Sequence, residues 1–172
     1  MTYERIRTAQ FLLRENRFTA QVLLDGAPVR VHVKNTGRCA ELLTPNATVY
    51  LAGAENPARK TAWDLVAVEK GPLLINMDSA FPDAPTLRGL KHVRELTALA
   101  AGGWQCCVLV VIQMKGVRLF RPNWATQPAF GRALAEAQAA GVQLLAMDCR
   151  VTPGSMALDA PVPIDLTPPE GV

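Results

Sequence analysis

The sequence predicts an α+β fold: an N-terminal OB-like small β-barrel followed by a reduced α/β unit. Two observations support this prediction. Short β-type runs separated by polar turns occupy the first part of the chain, as in small barrels. Further along, the spacing of apolar residues changes from two to three and four, which is typical of amphipathic helices. We therefore expect a barrel over 1–76 and an α/β unit over 80–166.

The barrel strands are marked by alternation and by turn residues. A β-type run over 18–24 ends at Asp25-Gly26, a common hairpin turn. Valines over 29–33 then alternate with Arg30, His32 and Lys34, which predicts a half-buried strand with one basic face. Further strands are expected at 48–51, 61–68 and 73–76.

The second half predicts an alternation of helices and strands. A stripe of apolar residues from Leu87 to Ala100 indicates a helix over 86–101, and Pro128 to Ala140 indicates another. The run 106–112 is apolar without alternation, as in a strand that is covered on both faces. With a last strand at 142–147, this order implies a parallel α/β unit whose two strands would make a thin sheet.

Composition excludes several classes of protein. With 49% hydrophobic and 19% charged residues the chain is globular, and a net charge of +3 permits nucleic-acid binding without indicating it. Its four cysteines form no C-x-x-C pair, which argues against zinc ligation. The N-terminus lacks an apolar signal region, and the longest apolar run is far shorter than the roughly 20 residues that span a bilayer. We predict a cytoplasmic protein with no membrane partner.

Several sequence blocks occur in order along nearly the whole chain. The main ones are Arg17-Phe18-x-Ala20, Asn35-Thr36-Gly37-Arg38, Asn56-Pro57-x-Arg59-Lys60-Thr61 and Phe81-Pro82-Asp83-Ala84-x-Thr86-x-Arg88-Gly89-x-Lys91-His92-x-x-Glu95-Leu96. These blocks resemble the sugar fermentation stimulation family of bacteria and archaea. The resemblance implies an N-terminal OB-type domain, a following domain similar to restriction-type PD-(D/E)xK nucleases, and DNA binding.

The chain departs from this family between Ser79 and Ala80. There the family carries several tens of residues, with an aspartate on one strand and Glu-x-Lys on the next, and no residue here matches them. Such chemistry needs carboxylates to hold Mg²⁺ and a lysine to position water. The resemblance therefore implies a shortened member with no catalytic residue, no metal and no cofactor.

Basic side chains are the candidates for nucleic-acid binding, because cations can follow a phosphate backbone on an OB-type platform. The alternative is a solvated barrel face, and for the first helix an exposed face with a Lys91–Glu95 ion pair. Phe18, Tyr50 and Trp63 are each either core residues or stacking platforms. The candidate set is Arg17, Arg30, Lys34, Asn35, Arg38, Arg59, Lys60, Thr61, Arg88 and Lys91.

Three functions remain open from the sequence. The first is non-specific binding of single- or double-stranded DNA by a catalytically inactive protein. The second is a metal-dependent nuclease with a degenerate site, since Pro82-Asp83 and Gln113-x-Lys115 imitate the nuclease motif. The third is a non-functional deletion remnant, whose incomplete sheet would expose apolar strand edges and favour a homo-oligomer.

Overall fold

The computed structural model describes residues 1–35, 37, 39–54, 59–77 and 87–171. Predictions that involve Arg38, the Asn56-Pro57 loop, the Ser79–Ala80 join and Asp83 lie outside the described residues.

The chain divides into two compact units that do not follow a single cut in the sequence. The first unit comprises Met1–Phe81, Gln113–Lys115 and Cys149–Leu158. The second comprises Pro82–Ile112, Gly116–Asp148 and Asp159–Val172. The first unit thus joins the N-terminal strands to two short segments from the second half of the chain.

The N-terminal part of the first unit forms the strands β1 (Arg7–Arg14), β2 (Thr19–Leu24), β3 (Ala27–Val33), β4 (Thr48–Gly53), β5 (Trp63–Lys70) and β6 (Leu73–Asn76). These strands form one sheet in the order β3-β2-β1-β4-β5-β6. A parallel pairing between β3 and β5 closes this sheet into a five-stranded barrel, and β6 extends antiparallel from the end of β5. The OB-like barrel predicted from the sequence is therefore confirmed.

The β2–β3 hairpin follows directly from its sequence. Its turn residues Asp25 and Gly26 have φ of 51° and 81°, the positive values that a two-residue type I′ turn requires. Alternate side chains of both strands are buried in the barrel, including Val22 and Val31, which are fully buried. The intervening positions therefore face outward, and the predicted basic face of β3 lies on the outside.

Strand β1 was not predicted, although it lies between β2 and β4. Ala9 and Phe11 are buried, but the register against β2 shifts between Phe11 and Leu13. Such an irregularity puts consecutive apolar residues on different faces, so the alternation that signals a strand is lost.

The described residues of the second half form two helices and three strands. They are α1 (Leu87–Ala101), β7 (Cys107–Ile112), α2 (Pro128–Ala139), β8 (Gln143–Thr152) and β9 (Ser155–Pro161). The predicted order of helix, strand, helix and strand is confirmed, and β7 and β8 pair in parallel from Cys107↔Gln143 to Ile112↔Asp148. Strand β9, which was not predicted, completes the three-stranded sheet β7-β8-β9.

The expectation that strand 106–112 is covered on both faces is wrong. Val108 and Leu144 pack into the core formed with the two helices. Leu109 and Leu145, which are opposite each other on the other face, are 43% and 39% exposed. The helices thus cover one face of the β7–β8 pair. The stripe of α1 also begins later than expected, because Leu87 is 82% exposed.

The barrel core provides the first test. Phe11 is 2% exposed, whereas Leu13 on the same strand is 48% exposed. Because a large buried ring leaves a cavity when it is removed, Phe11→Ala should lower the free energy of unfolding by about 3–5 kcal/mol. Leu13→Ala, the matched control, should change it by no more than about 0.5 kcal/mol. Urea unfolding followed by circular dichroism measures both; equal losses would contradict the assignment of β1.

Candidate nucleic-acid interface

The outer face of the β2–β3 hairpin carries the predicted basic strand. Thr19 lies opposite His32 and Gln21 opposite Arg30, so these four side chains share one side of the sheet. The Arg30 side chain is 60% exposed, and Nε donates to the Glu15 carboxylate at 2.5 Å. Glu15 also accepts hydrogen bonds from Gln21 and Thr19. Its pKa is lowered mainly by the Gln21 bond and also by Arg30.

The loop between β1 and β2 adds an exposed aromatic ring beside this face. Asn16 Oδ1 accepts hydrogen bonds from the backbone N–H groups of Phe18 and Thr19, which fixes the loop. The Phe18 carbonyl accepts from the Val33 N–H at 2.8 Å, so the loop continues the β2–β3 ladder. Phe18 is 43% exposed, and the Arg17 guanidinium carbon lies 4.6 Å from its ring centroid. This distance is that of a cation–π contact.

Phe18 therefore presents an exposed ring beside this face, and the other two candidate aromatic residues differ from it. Trp63 packs against the barrel core. The Tyr50 hydroxyl donates to the Glu69 carboxylate at 2.5 Å.

Asp64 gathers three basic side chains at the β3–β5 junction, two from the end of β3 and one from the loop before β5. Arg59 Nη2 and Nη1 donate to its two carboxylate oxygens at 2.6 and 3.0 Å. His32 Nδ1 lies 3.1 Å from Oδ1, and Lys34 Nζ lies 3.9 Å from Oδ2. We call His32, Lys34, Arg59 and Asp64 the Asp64 cluster.

The Asp64 cluster carries net positive charge. Burial alone would raise the pKa of Asp64, but the hydrogen bond and charge of Arg59, together with the His32 bond and the Lys34 charge, outweigh burial and hold the pKa below its ordinary value. The bond to Asp64 in turn raises the pKa of Arg59. One carboxylate is thus opposed by two permanent cations, a surplus that favours an anionic ligand.

Two of the predicted binding residues are buried. Asn35 is fully buried, and its Oδ1 accepts from the Gly37 N–H at 2.9 Å while its carbonyl accepts from Arg14. Thr61 is 8% exposed. Neither side chain can reach a ligand without rearrangement. We therefore infer that both stabilise the conformation of their loops. Lys60 is exposed beside Arg59.

The basic residues of α1 belong to the second unit, whereas the basic candidates of the barrel belong to the first. Arg88 and Lys91 are exposed. Lys91 Nζ lies 3.6 Å from Glu95, which confirms the predicted ion pair at i, i+4, and His92 Nδ1 lies 3.1 Å from the same carboxylate. The His92 bond is the main cause of a lowered pKa at Glu95. This arrangement is that of a solvated helix face.

Asp64 and Arg5 lie among the candidate residues but were not predicted from the sequence. Asp64 stands inside the apolar run Trp63–Val68, and a carboxylate in such a strand needs a partner, which is a signal that could have found it. Arg5 precedes the first strand, and its Nη2 donates to the Ala54 carbonyl at 2.6 Å. No local pattern connects these two positions, which are 59 residues apart.

Two features, a cluster of metal ligands and a membrane-spanning helix, are absent from the part of the chain that the structure describes. It contains no group of three or more His, Cys, Asp or Glu side chains suited to hold a metal ion. Neither of its helices combines the length and apolar character that crossing a membrane would require.

The fold and this site define the class of protein. It has an OB-type barrel with a basic β2–β3 face, and an α/β region follows the barrel along the chain. A profile described as the SfsA N-terminal OB domain matches residues 12–77. A profile described as the sugar fermentation stimulation protein RE domain matches 65–155. The chain belongs to the sugar fermentation stimulation family.

Relatives agree with this assignment over most of their length. A sugar fermentation stimulation protein homolog of Desulfitobacterium hafniense (strain Y51) is 39% identical over 215 residues, covering 91% of this chain and 94% of that protein. The homolog of Clostridium beijerinckii is 37% identical over 216 residues, covering 91% and 96%. Both alignments are longer than the 172 residues of this chain, so each includes positions of the relative that have no counterpart here.

A solved structure shows the same fold. It is that of Pyrococcus furiosus SfsA in complex with Ca²⁺, with a TM-score of 0.85 and 19% sequence identity. The match covers 96% of this chain and 98% of that one.

The ion pairs of Asp64 predict a pH-dependent stability. Because its pKa is lower in the folded chain, ionised Asp64 stabilises the fold above about pH 4, and this contribution is lost as the pH falls through the folded pKa. Asp64→Asn should therefore lower the free energy of unfolding by about 2 kcal/mol near neutral pH. This difference from wild type should narrow in acid. Urea unfolding at several pH values measures it.

The control is Asp25→Asn, which removes one partner of the exposed Arg7–Asp25 pair. Exposed pairs contribute little, so its cost should stay below about 1 kcal/mol. A loss at Asp64 that is equally large at every pH would contradict the proposed ionic role.

Proposed function

We propose that this chain is a non-specific DNA-binding protein that uses the outside of its barrel and is catalytically silent. One observation carries the proposal: the fold brings basic side chains from three separate segments to the β2–β3 side of the barrel. Arg17 comes from the loop after β1, Lys34 from the end of β3, and Arg59 from the loop before β5. OB folds bind oligonucleotides with this strand face and these two loops.

The contacts between the segments support a continuous surface. The bond between the Phe18 carbonyl and the Val33 N–H ties the first loop to β3. Asp64 ties Lys34 to Arg59. We call Arg17, Arg30, Lys34, Arg59 and Lys60 the basic face.

The physical basis of binding would be charge neutralisation with release of counterions. Phe18 offers a ring on which one base can stack, a contact that tolerates any sequence. A surface with several cations and one exposed ring has few groups that distinguish bases, which supports non-specific binding. Single- and double-stranded DNA both remain candidate partners.

The salt dependence of binding tests the basic face. Arg17 and Lys60 have no carboxylate partner among the described residues, so replacing them leaves no buried charge behind. The double variant Arg17→Ala/Lys60→Ala should weaken binding and reduce the slope of log K against log salt by about 1.4–1.8, because each lost phosphate contact removes about 0.7–0.9. Fluorescence anisotropy of labelled single- and double-stranded oligonucleotides, with EDTA present, measures the slope.

The matched control is Arg118→Ala/Arg132→Ala, which removes the same charge from exposed positions of the second unit. Its slope should equal that of wild type. Equal slopes for all three proteins would contradict the proposal that the basic face contacts the phosphates of DNA. No binding by folded wild-type protein at low salt would overturn DNA binding itself.

Catalytic silence is supported by the sequence. The residues two positions before the five lysines are His32, Ala58, Val68, Gly89 and Gln113, so the chain contains no Asp/Glu-x-Lys. The alignments that extend beyond this chain's length fit a segment missing between Ser79 and Ala80. We propose that this segment carries the carboxylates and the lysine of the nuclease-like site.

A cleavage assay tests this part of the proposal. Labelled DNA incubated with the protein and Mg²⁺ or Mn²⁺ should stay intact, because the sequence lacks the Asp/Glu-x-Lys motif whose lysine would position the attacking water. The alternative is a nuclease that uses Asp83 and Lys115. Metal-dependent cleavage that Asp83→Ala abolishes, and that Arg118→Ala leaves unchanged, would favour this alternative.

The β7–β8 pair keeps the third hypothesis open. Leu109 and Leu145 expose an apolar sheet face, and β7 is an edge strand of its sheet. Exposed edges of this kind favour association with another chain. A homo-oligomer therefore stays a prediction. A cytoplasmic location is a separate prediction from the sequence.

A further inference from the structure

A polar cavity of about 440 Å³ opens beside the Asp64 cluster, within the first unit. One wall is the N-terminal segment Thr2–Arg5, and a second is the end of β4 at Ala52 and Gly53. Lys34, Arg59 and Asp64 form the remaining polar lining. Cavities of this size hold small ligands or single groups of a larger one.

The N-terminal wall is fixed to the rest of the unit. The Tyr3 N–H donates to the Gly154 carbonyl at 2.8 Å, and Asn76 Nδ2 donates to the Tyr3 hydroxyl at 2.9 Å. The Glu4 carbonyl accepts from the Gly53 N–H at 3.2 Å. These bonds hold both sides of the cavity in place without a ligand, which lowers the cost of binding.

The Arg5 guanidinium can occupy its position only because residue 53 is a glycine and has no side chain. Its guanidinium donates to the Ala54 carbonyl and lies directly over Gly53. A Cβ built on Gly53 would lie 2.5 Å from Arg5 Nε and 2.6 Å from Cζ. Glycine is therefore required for Arg5 to occupy this position in the cavity wall.

The charges around the cavity favour an anion. Arg5, Lys34 and Arg59 oppose Glu4 and Asp64. Both oxygens of Asp64 are already engaged, by Arg59, His32 and Lys34, so this carboxylate orients cations instead of repelling a ligand on its own. The planar guanidinium groups of two arginines match the oxygens of phosphate.

We propose that this cavity binds the terminal phosphate of a nucleic-acid strand, an inference that rests on the proposed DNA binding. A terminal phosphate monoester carries about −1.5 to −2 charge near neutral pH, more than a diester within the chain, so it gains more from three cations. The cavity shares Lys34 and Arg59 with the basic face, so the end of a strand bound to that face would be able to reach it.

The test compares oligonucleotides of one sequence that carry a 5′-phosphate, a 3′-phosphate or hydroxyl groups at both ends. They compete with a labelled strand for the full chain in an anisotropy assay. Wild type should prefer one phosphorylated end by about fivefold or more, given the strength of charge-assisted hydrogen bonds to phosphate. The two phosphorylated strands identify which end enters the cavity.

Two variants should remove this preference but still bind the hydroxyl strand. Arg5→Gln removes the charge, and Gly53→Ala displaces the guanidinium without any change of charge. Gly154→Ala is the matched control, because its new methyl group meets Ile6 and Tyr3 at ordinary distances of 3.7 and 3.8 Å. It should keep the preference. Circular dichroism verifies that each variant is folded.

The outcomes separate this inference from the proposed function. Wild type that binds all strands equally would overturn the phosphate cavity and leave DNA binding intact. Arg5→Gln that weakens every strand to the same degree would also overturn it, because Arg5 would then be a general backbone contact. Wild type that binds no strand would overturn both.

Discussion

The short parallel pairing of β3 with β5 is the contact on which the first unit depends. It consists of two residue pairs, His32↔Asp64 and Val33↔Leu65. Val33 and Leu65 are fully buried and close the core, while His32 and Asp64 meet on the opposite face of the sheet, where Arg59 helps to bury Asp64. Closure removes the free edges that an open sheet would expose. One register therefore completes the barrel and positions the carboxylate that gathers its cations.

This arrangement would link the stability of the fold to the proposed phosphate binding, because both involve the same charges. Asp64 is buried at the sheet junction, and Arg59 and Lys34 compensate its charge there. The same two cations are those that a phosphate group would contact. Because Asp64 holds them in place before a ligand arrives, the ordering of long side chains is already part of the cost of folding. The surplus of positive charge remains available to an anion.

The second half of the chain shows how two helices cover a small sheet on one face only. Its two helices cover the face of the β7–β8 pair that carries Val108 and Leu144. The opposite face exposes Leu109 and Leu145, where the sequence had indicated burial. An apolar run shows that a strand can be buried, but whether a partner layer exists depends on the rest of the fold. The longer alignments of the relatives are consistent with additional structure in those proteins.

The sequence by itself determined the elements whose signals are local, and resemblance determined the family. Alternation and the Asp25-Gly26 turn are sufficient for the β2–β3 hairpin, and apolar spacing is sufficient for both helices. Only the tertiary structure decided the site. A register shift hides β1, and His32 and Asp64 become neighbours only when the barrel closes. Likewise, Arg5 has its place only because Gly53, far away in the chain, leaves space for it. Contacts between distant residues leave no periodic pattern, so they could not be predicted from the residues alone.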